Sequence, residues 1–346
     1  MNTVKLVYLT FTMLLLASCD KDTFNEVPNK IPEGEAIPKG GEIPEEPLAL
    51  TFTVQTTEDQ MGPFAKNAMV EFNGKVWSVG GINAYSTPNL SSDVWSSENG
   101  INWISVTSNL FDERKGHTLT VFDNKMWLIG GVNNSGRFLN DVWYSTDGTD
   151  WTLATDTPEY LSTAYHATVV FNNMLYVIKD GSDAHVEVWS SADGATWNRE
   201  TDHAFSNREE FKAVVFEDTI YVIGGKHLGT SFNDIWKSTD GIEWTLITPA
   251  DAIFSPRYAN TATVHHGKLW VVGGITGPLS ETHIDLWYTD NMLDWTAYDG
   301  TLPATEGLIH HAALSYADEL WLFGGLQPDA SGTAPMTGEI RSIREE

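Results

Sequence analysis

"NDVWYSTDGTDW" spans Asn140 to Trp151, and the chain repeats it. Its relatives are "SDVWSSENGINW" at 92–103, "VEVWSSADGATW" at 186–197, "NDIWKSTDGIEW" at 233–244 and "IDLWYTDNMLDW" at 284–295. In each, a short apolar–polar alternation runs into a turn, and a second Trp opens the next run. That pattern predicts two short strands joined by a hairpin. The Asp-Gly pairs at 147–148, 193–194 and 240–241 are expected to supply the positive φ angles of a tight turn.

A second phrase alternates with the first. "FDNKMWLIGG" at 122–131 is matched by "FNGKVWSVGG" at 72–81, "FEDTIYVIGG" at 216–225, "HHGKLWVVGG" at 265–274 and "YADELWLFGG" at 316–325. "FNNMLYVIKDG" at 171–181 has lost the glycine pair to Lys179 and Asp180. The phrase recurs every 45 to 51 residues. A period near fifty with this punctuation resembles the kelch repeat, and the resemblance covers residues 48–346. It implies an all-β fold, a six-bladed kelch-type propeller with four strands per blade.

The tryptophans fit that frame. Trp77, Trp127, Trp270 and Trp321 share a second-strand column with Tyr176 and Tyr221. Third-strand and fourth-strand columns take the other ten, so all fourteen are expected in the core between blades. Six second strands are followed by only five fourth strands. "LALTFTVQT" at 48–56 supplies the sixth, with Phe52 in the place of the missing Trp, against a third strand beginning at Glu339 and Ile340. Closing the ring this way hides a strand edge.

Composition bounds the rest. With 29 glycines and no capped helical run after residue 20, almost no helix is expected. A formal charge of −27 argues against nucleic acid and for a monomer kept apart by self-repulsion. Residues 1–18 read as a signal peptide ending in "LASC", which resembles the lipobox of bacterial lipoproteins, with Cys19 lipidated. "DKDTFNE" after it is similar to the surface-export signal of Bacteroidetes lipoproteins. Residues 19–47 carry five prolines and eight acidic residues and read as a disordered tether. The expected location is the outer membrane, lipid-anchored and facing the cell surface.

Loops after the glycine pairs and loops entering the first strands share one face, which is the expected binding face. Three columns there carry polar chemistry. Arg114, Arg208 and Arg257 stand eight residues before the aromatic that closes the first strand. Asn67, His117, His166, Asn260 and His311 stand five before it, with Phe211 as the exception. Asn83, Asn133 and His227 follow the glycines. The arginines are expected to converge at the channel mouth and hold an acidic group. His265-His266 and His310-His311 are read as strand neighbours facing opposite ways, so no metal site and no cofactor are expected.

Enzyme readings are weaker. Galactose oxidase chemistry needs a tyrosine crosslinked to cysteine, and Cys19 is the only cysteine. Sialidase Asp-boxes are one residue longer than "STDGTDW", and neither an Arg-Ile-Pro motif nor a Tyr–Glu nucleophile pair is evident. A sialic-acid mutarotase of kelch type would need an acid–base group, for which Glu209, Glu210 and Glu306 are candidates. The sequence favours a non-catalytic module for a glycan or protein ligand. The anchor is directly testable: Cys19→Ala should release the protein from the membrane fraction and abolish palmitate labelling, and unchanged fractionation would refute it.

Overall fold

The computed structural model describes residues 48–346 apart from 57–59, 85–88, 161, 252, 300–306 and 330–331. The signal segment, Cys19 and the tether lie outside the described residues. Six four-stranded antiparallel sheets make up the propeller. In the first blade the strands are Ala68–Phe72, Lys75–Val79, Val94–Ser97 and Trp103–Thr107. Each first strand lies beside the first strand of the next blade. The last, Ala312–Tyr316, returns to Ala68–Phe72 and closes the ring. The only helix among the described residues is a three-residue 3-10 turn, Leu279–Glu281.

The closing blade is built as its sequence predicts. Leu50–Thr56 pairs antiparallel with Ile340–Glu345, and Phe52 stands opposite Ile343. Trp103 stands opposite Ser97 and Trp151 opposite Ser145 in the same register, so Phe52 occupies the fourth-strand aromatic column. Its ring meets Tyr298 of the neighbouring blade at 5.6 Å.

The repeated sentence is a seat for a neighbouring aromatic. In blade two Ser145 Oγ accepts the Gly148 N–H at 2.8 Å. Asp147 Oδ1 accepts the N–H groups of Thr149 and Asp150 at 2.8 and 2.9 Å, and Trp151 Nε1 donates to Gly148 O at 3.1 Å. Only Gly148 has a positive φ, +80°, so Asp147 serves as a side-chain acceptor and not as a left-handed turn residue. Any Cβ on Gly148 would lie 2.0 Å from the Trp77 ring of blade one, and Gly194 meets Trp127 in the same way. The two-residue turns with both φ positive join first and second strands instead, as at Asp123-Asn124 and His266-Gly267.

The glycine pair stitches blade to blade. Gly131, at φ +109°, donates its N–H to Thr163 O of the next blade at 2.8 Å. Gly81, Gly225, Gly274 and Gly325 do the same to Arg114, Arg257, Leu308 and Phe64. Blade three, which lacks the pair, runs its second strand on to Asp180. There the side chain of Asn207 from blade four replaces the backbone stitch, bonding Gly181 N at 3.0 Å and Gly181 O at 3.1 Å.

Deleting residues 48–57 removes a whole outer strand and the Phe52 packing, which alone is worth about 1.5–3 kcal/mol. The thermal midpoint of the full propeller should therefore fall by many degrees. A midpoint within a degree or two of the parent would show that the strand does not clasp the ring.

Candidate functional site: the channel mouth

The arginine column lies elsewhere than expected. Arg114, Arg208 and Arg257 are all buried, with 0%, 1% and 0% exposure. Each guanidinium forms a bidentate pair with the carboxylate opening its own third strand: Asp141, Asp234 and Asp285. Each also donates to the first glycine carbonyl of its blade, at 2.8 Å from Arg114 to Gly130 and from Arg257 to Gly273. With each guanidinium nitrogen bonded inside the blade and almost no exposed surface, these arginines offer an anion no face. The binding role expected for them is corrected to a structural one.

Of the histidine–asparagine column, Asn67, His117, His166 and His311 line the central channel, and Asn260 does not. His117 Nε2 bonds Val79 O of the preceding blade at 3.0 Å, His166 Nε2 bonds Thr118 Oγ1 at 3.2 Å, and His311 Nε2 bonds Thr261 Oγ1 at 3.0 Å. Asn67 donates to Ser78 Oγ at 2.8 Å, and Asn260 reaches Thr261 O at 3.3 Å. Burial drives all three imidazoles down to about 3, assisted at His117 by the Arg114 charge. They are neutral near pH 7, and the ring bonds they make to neighbouring blades are seam contacts. His227 sits apart, in the short hairpin Lys226–His227 with Thr230–Ser231. Asn83 donates to Met61 O, and Asn133 organises its own loop by accepting from Ser135 and Arg137.

One residue before that column lies a ring that sequence reasoning did not see as one, although it named Glu210 and His310 on other grounds. Lys66, Gly116, Tyr165, Glu210, Ala259 and His310 hold equivalent places, and all six have φ between 55° and 66°. Backbone N–H groups pass around it: Lys66 to His310 O, His310 to Ala259 O, Glu210 to Tyr165 O and Tyr165 to Gly116 O. Non-glycine residues seldom adopt this conformation, and here four of the six positions are tied to the adjacent blade by these backbone bonds. It turns their side chains to the mouth of the channel, where they line a cavity of about 110 Å³. Gly116 was the available signal, a lone glycine in a column of otherwise unrelated residues.

The mouth is basic in an acidic protein. Lys66 and Lys226 lie 3.9 and 3.5 Å from Glu210 Oε1, and His310 Nδ1 lies 3.7 Å from Glu210 Oε2. Glu209 lies 3.7 Å from Lys226. Lys212 lines the cavity, and burial lowers its pKa. Lys66 is lowered as well, first by burial and then by the Lys115 and Lys226 charges against the opposing pull of Glu210. Burial and the nearby lysines hold His310 well below its ordinary value. Tyr165 is pushed up to about 12, and the Lys66 ammonium lies over its ring at 5.3 Å. Glu306, the remaining acid–base candidate, lies outside the described residues.

The second correction concerns His265 and His266. His266 occupies the left-handed first position of a two-residue turn, at φ 47°, so it does not alternate away from its neighbour. The two rings stack with centroids 3.9 Å apart and face the same way.

Comparison with known proteins places this geometry. A family model described as a kelch motif matches residues 113–144, the stretch from Arg114 through the glycine pair to Trp143. One described as the DUF6242 beta propeller domain matches residues 191–287. Beta-scruin of Limulus polyphemus is 28% identical over 185 residues, 47% of this chain and 19% of scruin. Kelch-like protein 35 of Mus musculus is 26% identical over 194 residues, 53% of this chain and 31% of that protein. The matches thus span less than a third of these relatives' length. The structure of YjhT superposes with a TM-score of 0.65 at 16% identity, over 82% of this chain and 96% of that one, a likeness of fold. The chain folds as a six-bladed β-propeller, and one of its blades matches the kelch motif.

Proposed function

We propose that the protein is a membrane-anchored surface lipoprotein whose propeller is a non-catalytic binding module for an acidic glycan or protein ligand, engaged at the channel mouth. In this reading Cys19 carries the lipid, the outer membrane is the site, and the module works as a monomer without a cofactor. A binding role agrees with the kelch-type fold.

The observation that carries the proposal is the lysine cluster. Lys66, Lys115, Lys212 and Lys226 gather at one opening in a chain of net charge −27. Two of them are held below their ordinary pKa by burial, which an incoming anion would relieve. The cavity of about 110 Å³ is well under the roughly 300–1,000 Å³ of sites that engulf a small molecule. Such a mouth would take one projecting carboxylate or sulfate of a larger ligand, with the surrounding loops covering the rest.

A second reading, a carbohydrate-active enzyme of sialic-acid mutarotase type, draws on the Glu210–His310 contact. A carboxylate beside a neutral imidazole can relay a proton in ring opening. Anomeric exchange of N-acetylneuraminate, followed by NMR with Glu210→Gln as control, separates the two. No acceleration is expected of a binding module.

The binding claim is tested by a glycan array with the full mature chain. Acidic glycans should be retained over neutral ones, and Lys66→Gln with Lys226→Gln should weaken binding by at least about tenfold, the cost of a charge-assisted hydrogen bond or two. Indifference to ligand charge, or unchanged affinity in the double variant, would overturn it.

A further inference from the structure

The geometry points to a divalent transition-metal site on the opposite face, formed by His265, His266 and Glu345 and suited to Zn²⁺. One ligand atom from each of the three residues lies within 4.8 Å of the others, and His266 Nδ1 stands 3.8 Å from Glu345 Oε1. Two of the three, His265 Nε2 and Glu345 Oε1, are buried and make no hydrogen bond. His265 is 2% exposed. Unpaired buried polar atoms are costly, and two of them converging beside a half-exposed imidazole nitrogen is an arrangement a cation would satisfy.

The tautomers agree with this use. His266 Nε2 donates to Asp318 Oδ1 at 2.8 Å, since a carboxylate can only accept, and that leaves the Nδ1 lone pair free. His265 Nδ1 lies 2.8 Å from Ser315 Oγ, and a proton on Nδ1 leaves Nε2 free. Metal-bound histidines characteristically donate their second N–H in this way, which fixes the ring and raises its basicity. Two imidazoles and a carboxylate select a zinc-like ion over calcium or magnesium, which prefer oxygen ligands.

Tetrahedral ligands at zinc distances stand about 3.3 Å apart. The His266 Nδ1–Glu345 Oε1 pair is already at 3.8 Å, and completing the set requires the two stacked imidazoles to splay so that both nitrogens face one ion. Lys268 holds the other oxygen, Glu345 Oε2, at 3.2 Å and would tune the affinity downward. A fourth position is left for water.

The site has a structural meaning independent of the ligand at the channel mouth. Its histidines belong to blade five, while Glu345 ends the strand Ile340–Glu345 that the clasp strand covers. An ion there would tie blade five to the closing blade and reinforce the ring.

The test is a zinc titration of the untagged, chelator-stripped full chain, by calorimetry and thermal melting. One ion per chain is expected, with a midpoint that rises on adding zinc. Glu345→Gln and His266→Ala should abolish both effects, Asp318→Asn should weaken binding about 10–100-fold, and His203→Ala, in the exposed Asp183–His185–His203 group, should change neither. Co²⁺ on the parent chain gives a readout that needs no variant: the intense visible bands of a four-coordinate ion are expected. No zinc-dependent midpoint shift, binding that survives in both ligand variants, or only the pale spectrum of aquated Co²⁺ would overturn the site.

Discussion

A buried guanidinium in each of three blades is the constraint on which this ring depends. Arg257 shows the pattern. Its side chain ties together the segment entering the blade, through Ser255 O, the corner at Gly273 O and the start of the third strand at Asp285. Its plane lies 5.3 Å from the Phe254 ring, and Trp287 Nε1 donates to the same carboxylate. Its own carbonyl accepts the Gly225 N–H of the preceding blade. One residue thus fixes the inside of a blade and the seam beside it. Burial raises the pKa of Asp285 and Asp141, but the arginine hydrogen bonds and charge outweigh it and hold both below the ordinary value. These pairs therefore stabilise the fold above the unfolded carboxylate pKa near 4, and the contribution is lost as pH falls through the lower folded values.

In two of the three blades that lack the arginine, another cation pairs with the third-strand carboxylate from a different position. In blade three Lys179 stands where the other blades have the first glycine, and its ammonium lies 3.7 Å from Glu187. In the closing blade Arg341 occupies the third-strand tryptophan column and bonds Glu339 with both arms, at 2.8 Å each. The loss of a glycine pair is then no defect of the repeat, because it exchanges a backbone corner for a charge. The cost is the seam to blade four, which Asn207 repairs.

The scaffold was legible in the sequence because a propeller writes each requirement once per blade. Trp columns, glycine pairs, the Asp-Gly sentence and even Phe52 standing in for a tryptophan follow from spacing alone. The site was not legible for the opposite reason. Lys66, Tyr165, Glu210 and His310 share a backbone conformation and no chemistry, so no column of residue types marks them. The arginines misled because repetition in three blades of six resembled a device for a ligand, when an aspartate of the same blade was the partner. His266 misled because strand alternation was applied to a residue that belongs to a turn.

The most direct measurement of this account is a double-mutant cycle on Arg257 and Asp285 by equilibrium unfolding of the full mature chain. A buried charge left without its partner costs about 3–5 kcal/mol. Asp285→Ala strands the fully buried Arg257 charge and should therefore destabilise by that order, Arg257→Ala, which leaves an Asp285 side chain 35% exposed, by somewhat less, and the double variant by clearly less than the sum. Single losses below about 1 kcal/mol, the value of an exposed ion pair, or strictly additive effects, would contradict it.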